Sequence, residues 1–154
     1  MPQNPGKRFE EDFKKSLNCF HLRLKDAAGW SNAENLRFTS SNICDFVIYP
    51  GSNVLFLAEL KSTDKTSKAY TDRERKQLDD LLTIKEPYVL TCHIINFRNI
   101  NKTYIVDAYH IHRCLQTRSS VSSDYCAVHG HQIPQELKRT RYKYLTDSIF
   151  KGDK

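Results

Sequence analysis

Three charged residues, Asp45, Glu59 and Lys61, lie at the ends of two strand-like runs that are joined by a turn sequence. The runs, residues 46–49 and 54–60, are rich in β-branched and aromatic residues, which favour strands. The segment between them reads Pro-Gly-Ser-Asn, which is typical of a turn. The sequence therefore predicts an antiparallel hairpin with charged residues near its open end.

The register of this hairpin decides whether the charged residues meet. Centring the hairpin on its turn pairs Val47 with Leu57 and Asp45 with Glu59. Directly opposed residues in antiparallel strands have Cβ atoms about 4.5–5.5 Å apart. Because side chains alternate between the two faces of a strand, Lys61 projects on the same face as Glu59. The predicted hairpin thus brings two carboxylates and an ammonium group together.

Such a carboxylate pair is unfavourable by itself, because like charges directly opposite each other destabilise a sheet and resist ionising together. A hard divalent cation removes the conflict, and Mg²⁺ is typically held by one or two carboxylates together with water and phosphate. Lys61 would then supply a positive donor to a scissile phosphate or an attacking water. The alternative interpretation is an ordinary hairpin with three solvated charged residues.

Asp45, followed by Glu-Leu-Lys at 59–61, resembles the PD-(D/E)xK nuclease signature. The wider context is similar to the RecU family of Holliday-junction resolvases, both in the segment 6–13 and in the Arg-Lys-Gln-Leu run at 75–78. Cys44 stands where the signature usually has proline. The resemblance implies a restriction-endonuclease-like core and Mg²⁺-dependent cleavage of DNA, with Mn²⁺ as a substitute.

The resemblance also implies a set of site residues. The metal ligands of the family correspond to Asp45, Glu59, the Leu60 carbonyl and Glu10, the last often through water. Lys61 orients the attacking water or stabilises charge on the phosphorane, and Gln77 supports the site. For Glu10 and Gln77 an ordinary surface position remains the alternative.

A net charge of +6 and a pI of about 9.1 suit a polyanionic partner such as nucleic acid. Candidate DNA contacts are basic residues in the loop after Lys61, in the next predicted helix, and in a tyrosine-containing tail: Lys65, Lys68, Arg73, Lys76, Arg139, Arg141 and Lys143. Basic residues interleaved with tyrosines can combine phosphate contacts with base stacking. A solvated charged surface is the alternative for each of them.

The hydrophobic periodicity predicts an α/β domain in which a central mixed sheet is flanked by helices, in the order αβββαβ plus additions. A helix over residues 7–24 is predicted from one apolar face, formed by Phe9, Phe13, Leu17, Phe20 and Leu24. The other predicted elements are a short strand at 36–39, a helix capped by Thr71 or Asp72, strands at 88–95 and 103–107, a helix at 108–117 and a serine-rich loop at 118–124.

The 154 residues form one predicted domain, with flexible ends at residues 1–6 and 145–154. RecU proteins usually carry a protruding stalk ahead of the catalytic aspartate, and this chain has little room for one. Cleavage of a four-way junction requires two symmetric cuts, so the resemblance implies a homodimer on branched DNA. The alternatives are a PD-(D/E)xK nuclease with other structure selectivity, or a DNA-binding module that keeps the fold without catalysis.

Five scattered cysteines, no CxxC motif and no signal peptide predict a reduced cytoplasmic protein of a bacterial or phage-infected cell. No apolar run is long enough to span a bilayer. The chain has neither a P-loop nor a dinucleotide-binding fingerprint, so no small-molecule cofactor is predicted.

A second group of residues competes with the carboxylates as a metal site. The patterns His110-x-His112-x-Cys114 and Cys126-x-x-His129-x-His131 contain side chains that can bind zinc. A helix through 108–115 would, however, direct His112 away from the other two members of its pattern. Scattered surface histidines and buried cysteines are therefore the preferred interpretation.

Overall fold

The computed structural model describes residues 2–24 and 42–151. Its helices are α1 (Pro5–Ser16), α2 (Asp72–Leu82), α3 (Ala108–Leu115) and α4 (Ser123–His129). Its strands are β1 (Phe20–Arg23), β2 (Phe46–Tyr49), β3 (Leu55–Thr63), β4 (Ser67–Ala69), β5 (Val89–Phe97), β6 (Lys102–Asp107), β7 (Ser120–Ser122), β8 (Gly130–Ile133), β9 (Gln135–Lys138) and β10 (Arg141–Tyr144). None of the described helices is long and apolar enough to cross a membrane.

The centre of the molecule is a six-stranded sheet in the order β1-β2-β3-β5-β6-β8. Only β3 and β5 run parallel in this sheet, and α2 lies between them in sequence. Two smaller two-stranded ribbons, β4 with β7 and β9 with β10, complete the β structure. The predicted α/β class with a mixed central sheet and flanking helices is confirmed.

The two faces of the central sheet carry separate hydrophobic cores. One face packs against α2 and α3, through residues such as Leu57, Leu81 and Ile111. The other face packs against α1 and the β9–β10 hairpin, through residues such as Phe13 and Ile94. Because β3 is covered on both faces, its charged residues have little access to water: the side chains of Glu59 and Lys61 are 5 % and 11 % exposed.

The register predicted for the β2–β3 hairpin is confirmed. Val47 lies opposite Leu57, and Phe46 lies opposite Ala58. The backbone N–H of Asp45 continues the ladder by donating to the Ala58 carbonyl at 3.1 Å. Continued by one residue, this register brings Asp45 beside Glu59, as the turn sequence and alternation predict.

The helix predicted over residues 7–24 is wrong in its second half. Helix α1 ends at Ser16, and the backbone of Leu17 is extended. Residues 20–23 instead form β1, an edge strand in which the side chain of Phe20 is 62 % exposed. Residues four apart, such as Phe20 and Leu24, share a face in a strand as well as in a helix, so their spacing fitted both.

Two further segments differ from the prediction, and one lies outside the described residues. The serine-rich segment 118–124 contains β7 and the start of α4, which Ser122 caps by accepting from the Tyr125 N–H at 3.1 Å. At the C-terminus, Phe150 is 3 % exposed and packs edge-on against Phe56, within the tail that the sequence predicts to be flexible. The predicted strand at 36–39 falls outside the described ranges.

Candidate active site

Asp45, Glu59 and Lys61 meet at one face of the sheet, as the hairpin register predicts. Asp45 is fixed because its Oδ2 accepts from the backbone N–H of Leu60 at 2.7 Å. Glu59 and Lys61 are two residues apart on β3 and project on the same face. Their side chains form an ion pair, with 2.7 Å between Lys61 Nζ and Glu59 Oε1.

The two carboxyl groups lie in an environment that disfavours their ionised forms. Burial and the neighbouring Glu59 charge raise the pKa of Asp45 well above its ordinary value, and burial also raises the pKa of Glu59. Among the described residues, the buried Oε2 of Glu59 has no hydrogen-bond donor. Two adjacent buried carboxyl groups, one with an oxygen that accepts no hydrogen bond, destabilise the fold. A bound cation would offset both the repulsion and the missing hydrogen bond, so the arrangement suits a metal ion.

Lys61 is surrounded by acceptors. Besides Glu59, its Nζ lies 3.4 Å from Oε1 of Gln77 and 3.6 Å from Oε1 of Glu74. Burial lowers the pKa of Lys61, but the adjacent Glu59 and Glu74 carboxylates outweigh burial and leave the pKa above its ordinary value. Lys61 is therefore a fixed ammonium donor at neutral pH, and Gln77 contacts it from α2.

Glu74 is a site residue that the sequence reasoning did not single out. Its carboxylate accepts from the Thr71 N–H at 2.8 Å while Thr71 Oγ1 accepts from the Glu74 N–H at 3.2 Å, which forms a capping box at the start of α2. The same carboxylate contacts Lys61 and accepts from Lys68 Nζ at 3.0 Å. The Thr-x-x-Glu spacing signals the cap, but only the fold shows that the cap also holds Lys61.

A neutral histidine supports the floor of the site. His93 lies directly opposite Glu59 in the parallel β3–β5 ladder and is fully buried. Burial, with a smaller contribution from Lys61, lowers the pKa of His93 to about 3, so its imidazole stays uncharged. The Tyr70 hydroxyl and His93 Nδ1 are 2.8 Å apart, and the two rings stack. No sequence signal distinguishes this histidine from an ordinary strand residue.

The charged groups open into a cleft of about 580 Å³. Its walls include Cys44 and Thr71, and its rim includes the basic residues Arg73 and Lys76 together with Asp80. Burial and the Glu59 charge raise the pKa of Cys44 to about 12, so the residue that replaces the signature proline is an uncharged thiol. The cleft is polar, as a site for a charged substrate requires.

The oxygen donors beside the middle of β3 fit a hard divalent cation. Asp45 and Glu59 supply carboxylates with an unmet acceptor, and Leu60, whose carbonyl is a predicted ligand, directly follows Glu59 in sequence. Glu10, the fourth predicted ligand, forms an ion pair with Arg23 of β1. No group of three or more His, Cys, Asp or Glu side chains within residues 2–24 and 42–151 could hold a metal, so Glu10 does not join the two carboxyls in one cluster.

The seven predicted DNA contacts lie in three different settings. Lys65, Arg73, Lys76, Arg139 and Lys143 are exposed, and Lys68 is ion-paired with Glu74. Arg141 serves a structural purpose: its Nε donates to the buried Asp12 at 2.6 Å and its Nη2 donates to Glu11 at 3.1 Å. These bonds attach the β9–β10 hairpin to α1.

The histidines and cysteines of the competing zinc pattern do not converge. His112 faces Asp79, with 3.3 Å between Nδ1 and Oδ1, while Cys114 Sγ lies 3.7 Å from the Ser120 carbonyl. The rings of His110 and His129 are neighbours with centroids 5.0 Å apart. All five cysteines are free thiols.

No family model and no curated protein matches this sequence. Among solved structures, the fold is similar to that of Hjc, a Holliday junction resolvase from the archaeal hyperthermophile Archaeoglobus fulgidus. The TM-score is 0.55 at 16 % sequence identity, and the likeness covers 81 % of this chain and 93 % of the archaeal chain. This likeness shows a shared restriction-endonuclease-like α/β fold.

Proposed function

We propose that this protein is a divalent-metal-dependent endonuclease that cleaves branched DNA and resolves four-way junctions. The observation that carries the proposal is the buried Asp45–Glu59 carboxyl pair with Lys61 beside it, where β3 borders the cleft. The cleft geometry and the fold shared with an archaeal resolvase both support a phosphodiester substrate. The RecU-like sequence pattern supports the same substrate class.

Asp45, Glu59 and the Leu60 carbonyl would hold Mg²⁺, with Mn²⁺ as a substitute. A cation bound there supplies a Lewis acid for the phosphoryl oxygen and lowers the pKa of a coordinated water. Lys61 donates to the attacking water or to the oxygens on which negative charge develops. Gln77 and Glu74 hold the Lys61 ammonium in place through the contacts described above. A water-mediated contribution of Glu10 to the metal remains a prediction.

The substrate class follows from charge and from symmetry. Arg73 and Lys76, which line the cleft, and the exposed Lys65 in the loop after β3 would contact phosphates next to the cleaved bond. Resolution of a four-way junction requires one cut in each of two strands of like polarity, so two copies of the chain would act together as a homodimer. The free thiols agree with a reducing cytoplasm, in a bacterial or phage-infected cell.

A cleavage assay on defined DNA structures tests the proposed function. The substrates are a four-way junction, a replication fork, a flap and a linear duplex of matched length, each with Mg²⁺, with Mn²⁺ or with EDTA. We expect symmetric paired cuts in the junction that require the metal. Cuts confined to forks or flaps would identify a nuclease with other structure selectivity. Metal-independent binding without any cutting would identify a non-catalytic DNA-binding module and reject the proposal.

A further inference from the structure

A second basic depression lies across the sheet from the candidate active site. It has a volume of about 500 Å³ and is formed by the start of α1, the 3-10 turn Arg98–Ile100 and the β9–β10 hairpin. Three arginines line it, Arg8, Arg98 and Arg139. We call it the arginine groove, and we propose that it binds the phosphate backbone of a duplex arm next to the cleaved strand.

The positive charge of the arginine groove is uncompensated. Within residues 2–24 and 42–151, none of its three arginines forms a side-chain ion pair with a carboxylate. Asp12 is the acidic residue among its described lining residues, and both of its oxygens are used. One accepts from Arg141 Nε at 2.6 Å and the other from the Tyr142 N–H at 3.2 Å. Guanidinium groups without a protein partner suit phosphate, which they can bind in a bidentate manner.

The other groups in the groove suit a nucleic acid better than a single small anion. Side-chain amides of Asn96, Asn101 and Gln135 line its floor, and the Tyr142 hydroxyl donates to Asn101 Oδ1 at 2.7 Å. Leu137 on the hairpin is 59 % exposed, which offers an apolar contact to a sugar or base. Protein–DNA contacts combine these elements, with most hydrogen bonds going to phosphate and sugar oxygens.

The backbone at Arg139 gives an independent reason to assign a function to this side chain. Arg141 pairs with Lys138, so Arg139 and Thr140 form a two-residue hairpin loop, and Arg139 has φ 59°. A positive φ in such a loop is least costly for glycine. A non-glycine residue in this conformation typically persists at sites where its side chain is used.

The arginine groove and the candidate active site approach each other at neighbouring residues of β3. Lys61 and Ser62 are neighbours on β3 and project to opposite faces of the sheet. Ser62 Oγ donates to Asn96 Oδ1 at 3.3 Å, and Asn96 lines the groove. The two sites thus lie on opposite faces of one layer of sheet, at adjacent residues of β3.

Two triple variants that remove the same amount of positive charge test the inference. It rests on the proposed function only in saying that the bound DNA arm lies next to the cleaved strand. The test variant is Arg8→Ala/Arg98→Ala/Arg139→Ala. The control, Lys14→Ala/Lys85→Ala/Arg113→Ala, removes the same charge at exposed positions outside the groove. Binding to a labelled four-way junction and to a linear duplex is measured in EDTA, so that cleavage does not interfere.

We expect the groove variant to bind the junction at least about tenfold more weakly than the control, with a slope of log K against log salt that is smaller by about 2–3. Equal affinities and slopes for the two triple variants would overturn the inference. The single change Arg139→Gly should lower DNA affinity while the melting temperature stays equal or rises. A loss of affinity accompanied by a lower melting temperature would count against a direct phosphate contact.

The outcomes separate this inference from the proposed nuclease activity. If the wild-type protein cuts junctions and the groove variant binds like its control, only the arginine groove is rejected. If the wild-type protein does not cut any DNA but the groove variant loses affinity selectively, the groove stands and the nuclease proposal fails.

Discussion

Asp45→Asn is expected to lower the rate of junction cleavage about a thousandfold or more, because loss of a metal-binding carboxylate removes several kcal/mol of transition-state stabilisation. The substitution keeps the shape of the side chain, and the amide oxygen can still accept from the Leu60 N–H. Junction affinity in EDTA should stay within about twofold, since DNA binding depends on the basic residues. The measurement is single-turnover cleavage at saturating protein, compared with wild type.

The control for this substitution is Asp80→Asn, which removes an exposed carboxylate from the rim of the same cleft. We expect it to leave the cleavage rate within about twofold, because exposed charges interact weakly with their surroundings. Undiminished cutting by Asp45→Asn would reject the assigned site. In the metal-free protein, Asp45→Asn should also unfold at a higher temperature than wild type, since it removes repulsion between two buried carboxyl groups.

Lys61→Met is expected to lower the cleavage rate about a hundredfold or more, the magnitude typical of a lost preorganised donor at developing charge. The substitution also removes the ammonium between two carboxylates, of which Glu59 is 5 % exposed at its side chain. Breaking a buried ion pair from one side typically costs about 3–5 kcal/mol. The metal-free variant should therefore unfold at clearly lower denaturant concentration, and Mg²⁺ should restore part of the difference.

Lys85→Met is the matched control, since Lys85 is exposed and lies outside the cleft. Its cleavage rate and its free energy of unfolding should both stay near wild type. A Lys61→Met protein that loses stability but keeps its cleavage rate would show that Lys61 has only a structural role. Denaturant unfolding and single-turnover cleavage, measured on the same preparations, separate the two contributions.

The hairpin that carries the candidate site could be predicted from sequence because its signals are local. The turn residues fix the centre of the fold-back, and the two-residue alternation then fixes which side chains share a face. Asp45 therefore comes beside Glu59 and Lys61, and the observed pairing of Val47 with Leu57 confirms the register. The family pattern also marks Gln77 through the Arg-Lys-Gln-Leu run, and its Oε1 lies 3.4 Å from Lys61 Nζ.

Long-range contacts account for what the sequence did not predict. Residues 20–23 form an edge strand because they pair with β2, and their apolar spacing alone also fits a helix. Segment 120–122 forms β7 by pairing with β4, from which it is separated by α2, β5, β6 and α3. The second contact of Glu74, to Lys61, depends on how α2 docks against β3. Arg141 lies in a basic, tyrosine-containing segment of the kind that contacts DNA, but its guanidinium is ion-paired with Asp12 and Glu11 of α1.

The most direct test of the metal site is anomalous diffraction from crystals soaked in Mn²⁺. We expect an anomalous peak within bonding distance of the carboxylates of Asp45 and Glu59 and of the Leu60 carbonyl, and no such peak in crystals of Asp45→Asn. Two results would contradict the assignment of these carboxylates as a catalytic metal site. One is Mn²⁺ peaks elsewhere in the crystal with none at this position, and the other is a peak at His110 and His129 alone.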